Sequence, residues 1–144
     1  METLNGILRD INRQARIYRD QQLAPLGITS RHGMYLREVG ASPGISQEQL
    51  AGRIGINKSN VARQVAALEE EGYLERRPCG KDKRVLRLYL TESAQALLPR
   101  INRVMDIWEQ VLMEGFAEAE RQSLESLLLR LRDNAVRAVE VNEP

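Results

Sequence analysis

Residues 46–90 constrain this chain most, because the hydrophobic period changes partway through them. Ser46-Gln47-Glu48-Gln49 pairs a serine with a glutamine three residues on, the capping box of a short helix through Arg53 with Leu50, Ala51 and Ile54 inward. Gly55-Ile56-Asn57 is a tight turn, and Asn57 suits the N-cap of a second helix that starts at Lys58 and runs to about Glu71. Gly72 stands where a left-handed terminal residue is wanted. Beyond it the period drops to two. Leu86, Leu88 and Leu90 alternate with Val85, Arg87 and Tyr89, and Tyr73 to Arg77 would pair with them across the Gly80 turn. Two strands alone are marginal, so the hairpin must lean on the helices.

The flanks read as helix. Leu4, Ile7, Leu8, Ile11, Ala15 and Tyr18 recur at helical spacing over residues 3–22, and Pro25 and Gly27 end the run. Thr29 or Ser30 caps a helix with Met34, Tyr35, Leu36 and Val39, and Ala41-Ser42-Pro43-Gly44 reads as a loop. Thr91 caps a long helix in which Pro99 should produce a bend, and a last helix holds Leu124, Leu127, Leu128, Leu131, Ala135 and Val139. The expected fold is mainly α with a small β-hairpin wing: a winged helix-turn-helix whose N- and C-terminal helices form a dimerisation domain. The expected division is residues 1–28 as an N-terminal dimerisation helix, 29–91 as the winged domain and 92–144 as C-terminal dimerisation helices. The apolar faces of the outer helices exceed what a small winged domain covers, and a second copy of the same helices is the economical partner.

Charge separates the parts. The net charge is only +1, but residues 53–90 carry nine Lys/Arg against five Asp/Glu, and residues 91–144 six against ten. A basic middle before an acidic end suits a polyanion partner for one part only. The one cysteine excludes an intramolecular disulfide and fits a reducing, cytoplasmic setting. No apolar run is long enough to span a bilayer, and Met1-Glu2-Thr3-Leu4-Asn5 lacks the basic start of a signal peptide.

A helix-turn-helix sets the angle at which its second helix enters the major groove. Ser59, Asn60, Arg63 and Gln64 lie on the open side of that helix. Arg63 has the fork for guanine, Asn60 or Gln64 the amide for adenine, and Lys58 and Ser59 are placed for phosphates. Around the Gly turn, Arg76, Arg77, Lys81, Lys83 and Arg84 make a basic loop suited to a minor groove or a phosphate backbone. Double-stranded DNA is the expected partner. A winged-helix module that binds protein without reading DNA sequence is the alternative, opposed by the basic face because protein interfaces deplete lysine at their cores.

Residues 46–91 resemble the winged helix-turn-helix of the multiple antibiotic resistance regulator (MarR) family, the SlyA branch in particular. The resemblance rests on Ser46 to Leu50, Ser59-Asn60-Val61-Ala62-Arg63, Leu68-Glu69-Glu70-Glu71-Gly72-Tyr73-Leu74, and the wing Asp82-Lys83-Arg84 followed by Leu88-Tyr89-Leu90-Thr91. It implies a homodimeric transcriptional regulator, a repressor on a pseudo-palindromic operator, with Arg63 in the major groove and Arg84 in the minor groove held by Asp82. A carboxylate beside a guanidinium fixes the direction of the fork before DNA arrives. The resemblance also implies a small aromatic or phenolic effector near Arg16, Tyr18, His32 and Tyr35. His32 matches a histidine of the SlyA branch, whereas the next residue, often aromatic there, is Gly33. A lone histidine among helices also serves as a structural hydrogen-bonder.

Cys79 lies in the wing beside Arg77 and Lys81, where basic neighbours favour a thiolate, so it reads either as an oxidant-sensitive group or as an incidental turn residue. One histidine and one cysteine far apart offer no metal cluster, and no phosphate loop or dinucleotide-binding glycine turn occurs. No cofactor, metal or enzymatic activity is expected.

Overall fold

Helix starts fall where a side chain can take up otherwise orphaned backbone donors. In the computed structural model, which describes residues 1–141, α1 (Leu4–Leu23) begins after Thr3, whose hydroxyl accepts from the Gly6 N–H. A single 3-10 turn (Ala24–Leu26) carries the chain over Pro25. Helix α2 (Ser30–Ala41) is capped by Thr29, and α3 (Gln47–Ile54) by the reciprocal Ser46–Gln49 box, both bonds at 3.1 Å. Asn57 caps α4 (Lys58–Glu70) by accepting from the Asn60 N–H at 2.8 Å. Between α3 and α4 Gly55 adopts φ +75°, a left-handed conformation that would strain a residue with a Cβ.

The sheet departs from a simple hairpin. β2 (Leu74–Pro78) pairs antiparallel with β3 (Leu86–Leu90), Leu74 opposite Leu90 and Pro78 opposite Leu86. A third strand, β1 (Ile45–Ser46), pairs with the other edge of β3, Ile45 opposite Leu88, so β3 is central. Sequence reading missed β1 because two residues show no alternation. Its presence explains how so short a hairpin is held: Leu88 is fully buried, and the Arg87 guanidinium donates to the Gly44 carbonyl at 2.9 Å.

Two compact units divide the chain, Met1–Trp108 and the chain from Glu109 onward. In the first, Leu23, Tyr35, Leu36, Val39, Leu50, Val61, Val65, Leu68, Leu88 and Ile101 form one apolar core. Helix α2 seats closely here. A Cβ at Gly33 would stand 2.7 Å from a Leu23 methyl and 3.5 Å from the end of Met105. A side chain at this position, such as the aromatic often found there in the SlyA branch, would require Leu23 to shift. Start-of-helix contacts lock α2 to α1: the Ser30 N–H donates to Asp20 at 2.6 Å and Arg19 donates to the Ser30 hydroxyl at 3.1 Å. Tyr18 packs on Trp108, ring centres 5.1 Å apart.

Helix α5 (Glu92–Leu112) runs unbroken through Pro99. In the second unit α6 (Glu118–Glu140) follows a turn closed by Arg121, which donates to the carbonyls of Phe116 and Met113. None of the described side chains of α6 is buried, although Leu127, Leu128, Leu129, Val136 and Val139 are apolar. Among the described residues no helix is long and apolar enough to cross a membrane.

Candidate nucleic-acid interface

The inward stripe Val61, Val65 and Leu68 anchors α4 and turns Lys58, Ser59 and Arg63 to solvent, with Asn60 and Gln64 partly covered. Arg63 makes no hydrogen bond or ion pair with the described residues. Lys58 is held by Glu48 at 2.7 Å, and that bond draws the fully exposed Glu48 carboxyl below its ordinary range. Gln64 is turned away from Arg63 toward α2, where its Oε1 lies 3.0 Å from His32 Nε2.

The hairpin's cations fall into two groups. Arg76 is engaged by Glu69 of α4 through two bonds, 3.0 and 2.9 Å, which hold the Glu69 carboxyl low and raise the guanidinium further. Arg77 pairs with Glu75 at 2.8 Å and lies 4.4 Å above the Tyr89 ring, a cation–π contact. Both tie the strands to their surroundings. Lys81 and Lys83 at the tip make no ion pair with the described residues. Arg84 is almost wholly exposed, yet Asp82 accepts from both its backbone N–H at 3.0 Å and its Nε at 3.2 Å, which orients the side chain before any partner arrives.

Lys58 and Arg84 line one cleft of about 250 Å³ with Ser46, Gln47 and Glu48, so the start of α4 and the wing share a side of the domain. Cys79 sits at the base of the wing. The backbone N–H groups of Lys81 and Asp82, then the Arg87 side chain, lower its thiol below the usual value, because each stabilises the anion.

Of the expected effector contacts, Arg16 and His32 line a cleft of about 560 Å³ between α1 and α2, with Asp20, Arg31 and Gln64. Tyr35 belongs to an adjoining hollow of about 240 Å³ with Arg16, Arg19 and Ile56. Its hydroxyl is buried without a hydrogen-bond partner, and burial raises its pKa while Arg31 opposes the shift. Tyr18, packed at a tilt on Trp108, lines neither hollow. Asp20, Arg19 and Arg31 escaped sequence reading because nothing in their spacing separates them from solvated helix positions. Among the described residues no group of three His, Cys, Asp or Glu is placed to hold a metal.

A Gly-turned helix pair backed by a three-stranded sheet with a cationic tip defines a winged helix-turn-helix. The MarR family model matches residues 26–85. The helix-turn-helix transcriptional regulator YybA of Bacillus subtilis (strain 168), itself uncharacterised, is 30% identical over 137 residues, 93% of this chain and 91% of that protein. The crystal structure of the transcriptional regulator SlyA is similar at a TM-score of 0.88 and 31% identity, over 95% of this chain and 99% of that one. A MarR-family regulator from Listeria monocytogenes, solved with a 26mer DNA, shares the fold at a TM-score of 0.90 and 24% identity, over 100% of this chain and 98% of that one. The chain belongs to the MarR family of transcriptional regulators. Its relatives are regulators, not enzymes.

Proposed function

We propose that this chain acts in the cytoplasm as a homodimeric, sequence-specific DNA-binding repressor on a pseudo-palindromic operator. Residues 29–91 are the reading head, and residues 1–28 and 92–144 supply the dimer helices. Arg63 reads a base edge in the major groove with Ser59 and Asn60 beside it, while Lys58 meets a phosphate. Arg84, oriented by Asp82, enters the minor groove, flanked by Lys81 and Lys83. Arg76 and Arg77 support the wing. The half-sites lie about one helical turn apart, roughly 34–36 Å.

The observation that carries this reading is the division of cations. Arg63, Lys81 and Lys83 have no ion partner among the described residues, whereas Arg76 and Arg77 behind them are paired. The Listeria monocytogenes relative was solved with DNA, which adds support from the shared fold. A small aromatic or phenolic acid in the Arg16–His32 cleft would shift the spacing of the two heads and release the operator. The test is selection of bound duplexes from random DNA. Recovery of an inverted repeat with one-turn spacing is expected, and failure to enrich any duplex in dilute buffer would sink the proposal.

A further inference from the structure

Two cations on the proposed DNA face are each held by a carboxylate, and the two pairings differ in what they leave free. Asp82 engages the Arg84 side chain through Nε, 3.2 Å away, and leaves the two terminal nitrogens of the fork to a partner. Lys58 has a single nitrogen, and Glu48 holds it at 2.7 Å, the shortest cation–carboxylate distance among the described residues. The two side chains are 74% and 75% exposed, so little besides each other holds them in place. Arg84, from the wing, is the other charged group lining the cleft that Lys58 and Glu48 share.

A duplex phosphate would seek the same ammonium. One ammonium can bridge two oxygens, but oxygens each about 2.8 Å from one nitrogen lie within about 5 Å of each other. Carboxylate and phosphate would then stand side by side as like charges, a conflict that the Arg84 fork avoids. Glu48 is not stranded when Lys58 leaves, because it stands in the first turn of α3, where the helix dipole favours an anion. We propose that Glu48 is a positioning residue that holds Lys58 off the DNA backbone, standing in for a phosphate until a duplex displaces it. It thereby sets how tightly each reading head grips any duplex, since a phosphate contact carries no sequence information. This rests on α4 being the DNA-reading helix, with Lys58 at a phosphate.

Anisotropy titration of a labelled mixed-sequence duplex in dilute buffer tests it, because no operator is needed. Glu48→Gln should tighten binding by about two- to fivefold for each head, the worth of one exposed ion pair. The gain should fade as salt rises, since exposed charges are screened. Most of it should vanish in a Lys58→Met background, which has no ammonium to release. The carbon-13 signal of the Glu48 carboxyl gives a second readout. Lys58 holds that carboxyl below its ordinary range, so it should titrate at higher pH once a duplex withdraws the lysine, and also in Lys58→Met without DNA. Weaker binding by Glu48→Gln would mean that Glu48 aims Lys58 at the backbone, and overturns the proposal. An equal gain with and without Lys58 would reduce Glu48 to a plain repulsive charge and overturns it too, as does a carboxyl whose titration ignores the duplex. A wild-type chain that binds no duplex sinks the DNA reading, and this proposal with it, whereas binding without any gain from Glu48→Gln sinks this proposal alone.

Discussion

At the scale of single residues, two arginines of equal formal charge have opposite expected phenotypes. Arg63 is exposed and touches nothing that its removal would orphan, so Arg63→Ala should leave the melting temperature unchanged. It should cost about 1–3 kcal/mol of discrimination at one base position if the fork pairs with guanine. Competition between selected and singly altered duplexes measures this, and undiminished discrimination would remove Arg63 from the reading set. Arg76→Ala should do the reverse, losing about 1 kcal/mol or less of stability through the partly exposed Glu69 pair. The sign of its pH dependence follows from Glu69, whose carboxyl is lower in the fold than in the unfolded chain. That stabilisation is present above the unfolded carboxyl value and fades as pH falls through the folded one, so wild type and variant should converge on acidification. Denaturant midpoints at neutral and acid pH check it. Cys79 is the third case: with its thiol lowered by the Lys81 and Asp82 N–H groups and by Arg87, alkylation should reach half-maximal rate below the pH required by free cysteine, about 8.5. Arg87→Ala should raise that midpoint, and a rate profile matching free cysteine would mean that the wing does not activate the thiol.

At the scale of elements, closeness of packing decides what each helix can tolerate. Gly33 lets α2 approach the end of α1, and Gly33→Ala would push a methyl to 2.7 Å from Leu23 in the filled core. Such overpacking costs about 1–3 kcal/mol. Equilibrium unfolding measures the loss, and a neutral substitution would show that Leu23 yields freely. Helix boundaries were legible in the sequence because capping is local: Thr29, Ser46 with Gln49, and Asn57 each meet a donor three residues ahead. The β2–β3 pairing was legible too, from the alternating leucines and the Gly80 turn. Strand β1 was not, since Ile45 finds its partner in Leu88, far along the chain. The same distance hid the division of the site. Whether Gln64 is free depends on His32 from another helix, and whether Arg76 is free depends on Glu69 across the helix–strand junction. Residue type and local spacing nominate cations and amides, but only folding assigns them partners.

At the scale of the whole molecule, the apolar faces of the outer helices are what a second copy would cover. An amphipathic helix in water draws most of its stability from burying its stripe, yet α6 buries none of its described side chains. Along α1, Leu4, Ile7, Ile11 and Ile17 are likewise exposed. A dimer of about 33 kDa, twice the 16.4 kDa chain, is therefore expected in sedimentation at micromolar concentration. Charging the α6 face with Leu127→Glu and Leu128→Glu should shift the species to the monomer mass and leave the first unit, Met1–Trp108, with its own core, folded. Operator affinity should then fall by about 100-fold or more, because engagement of the second half-site is no longer intramolecular. The salt dependence adds an independent check. Each reading head releases its own counterions, so the slope of log affinity against log salt should fall by about half when one head binds alone. A wild-type chain that sediments at the monomer mass, or a charged-face variant that keeps both its affinity and its full salt slope, would separate DNA binding from the outer helices and leave their exposed leucines without a role in it.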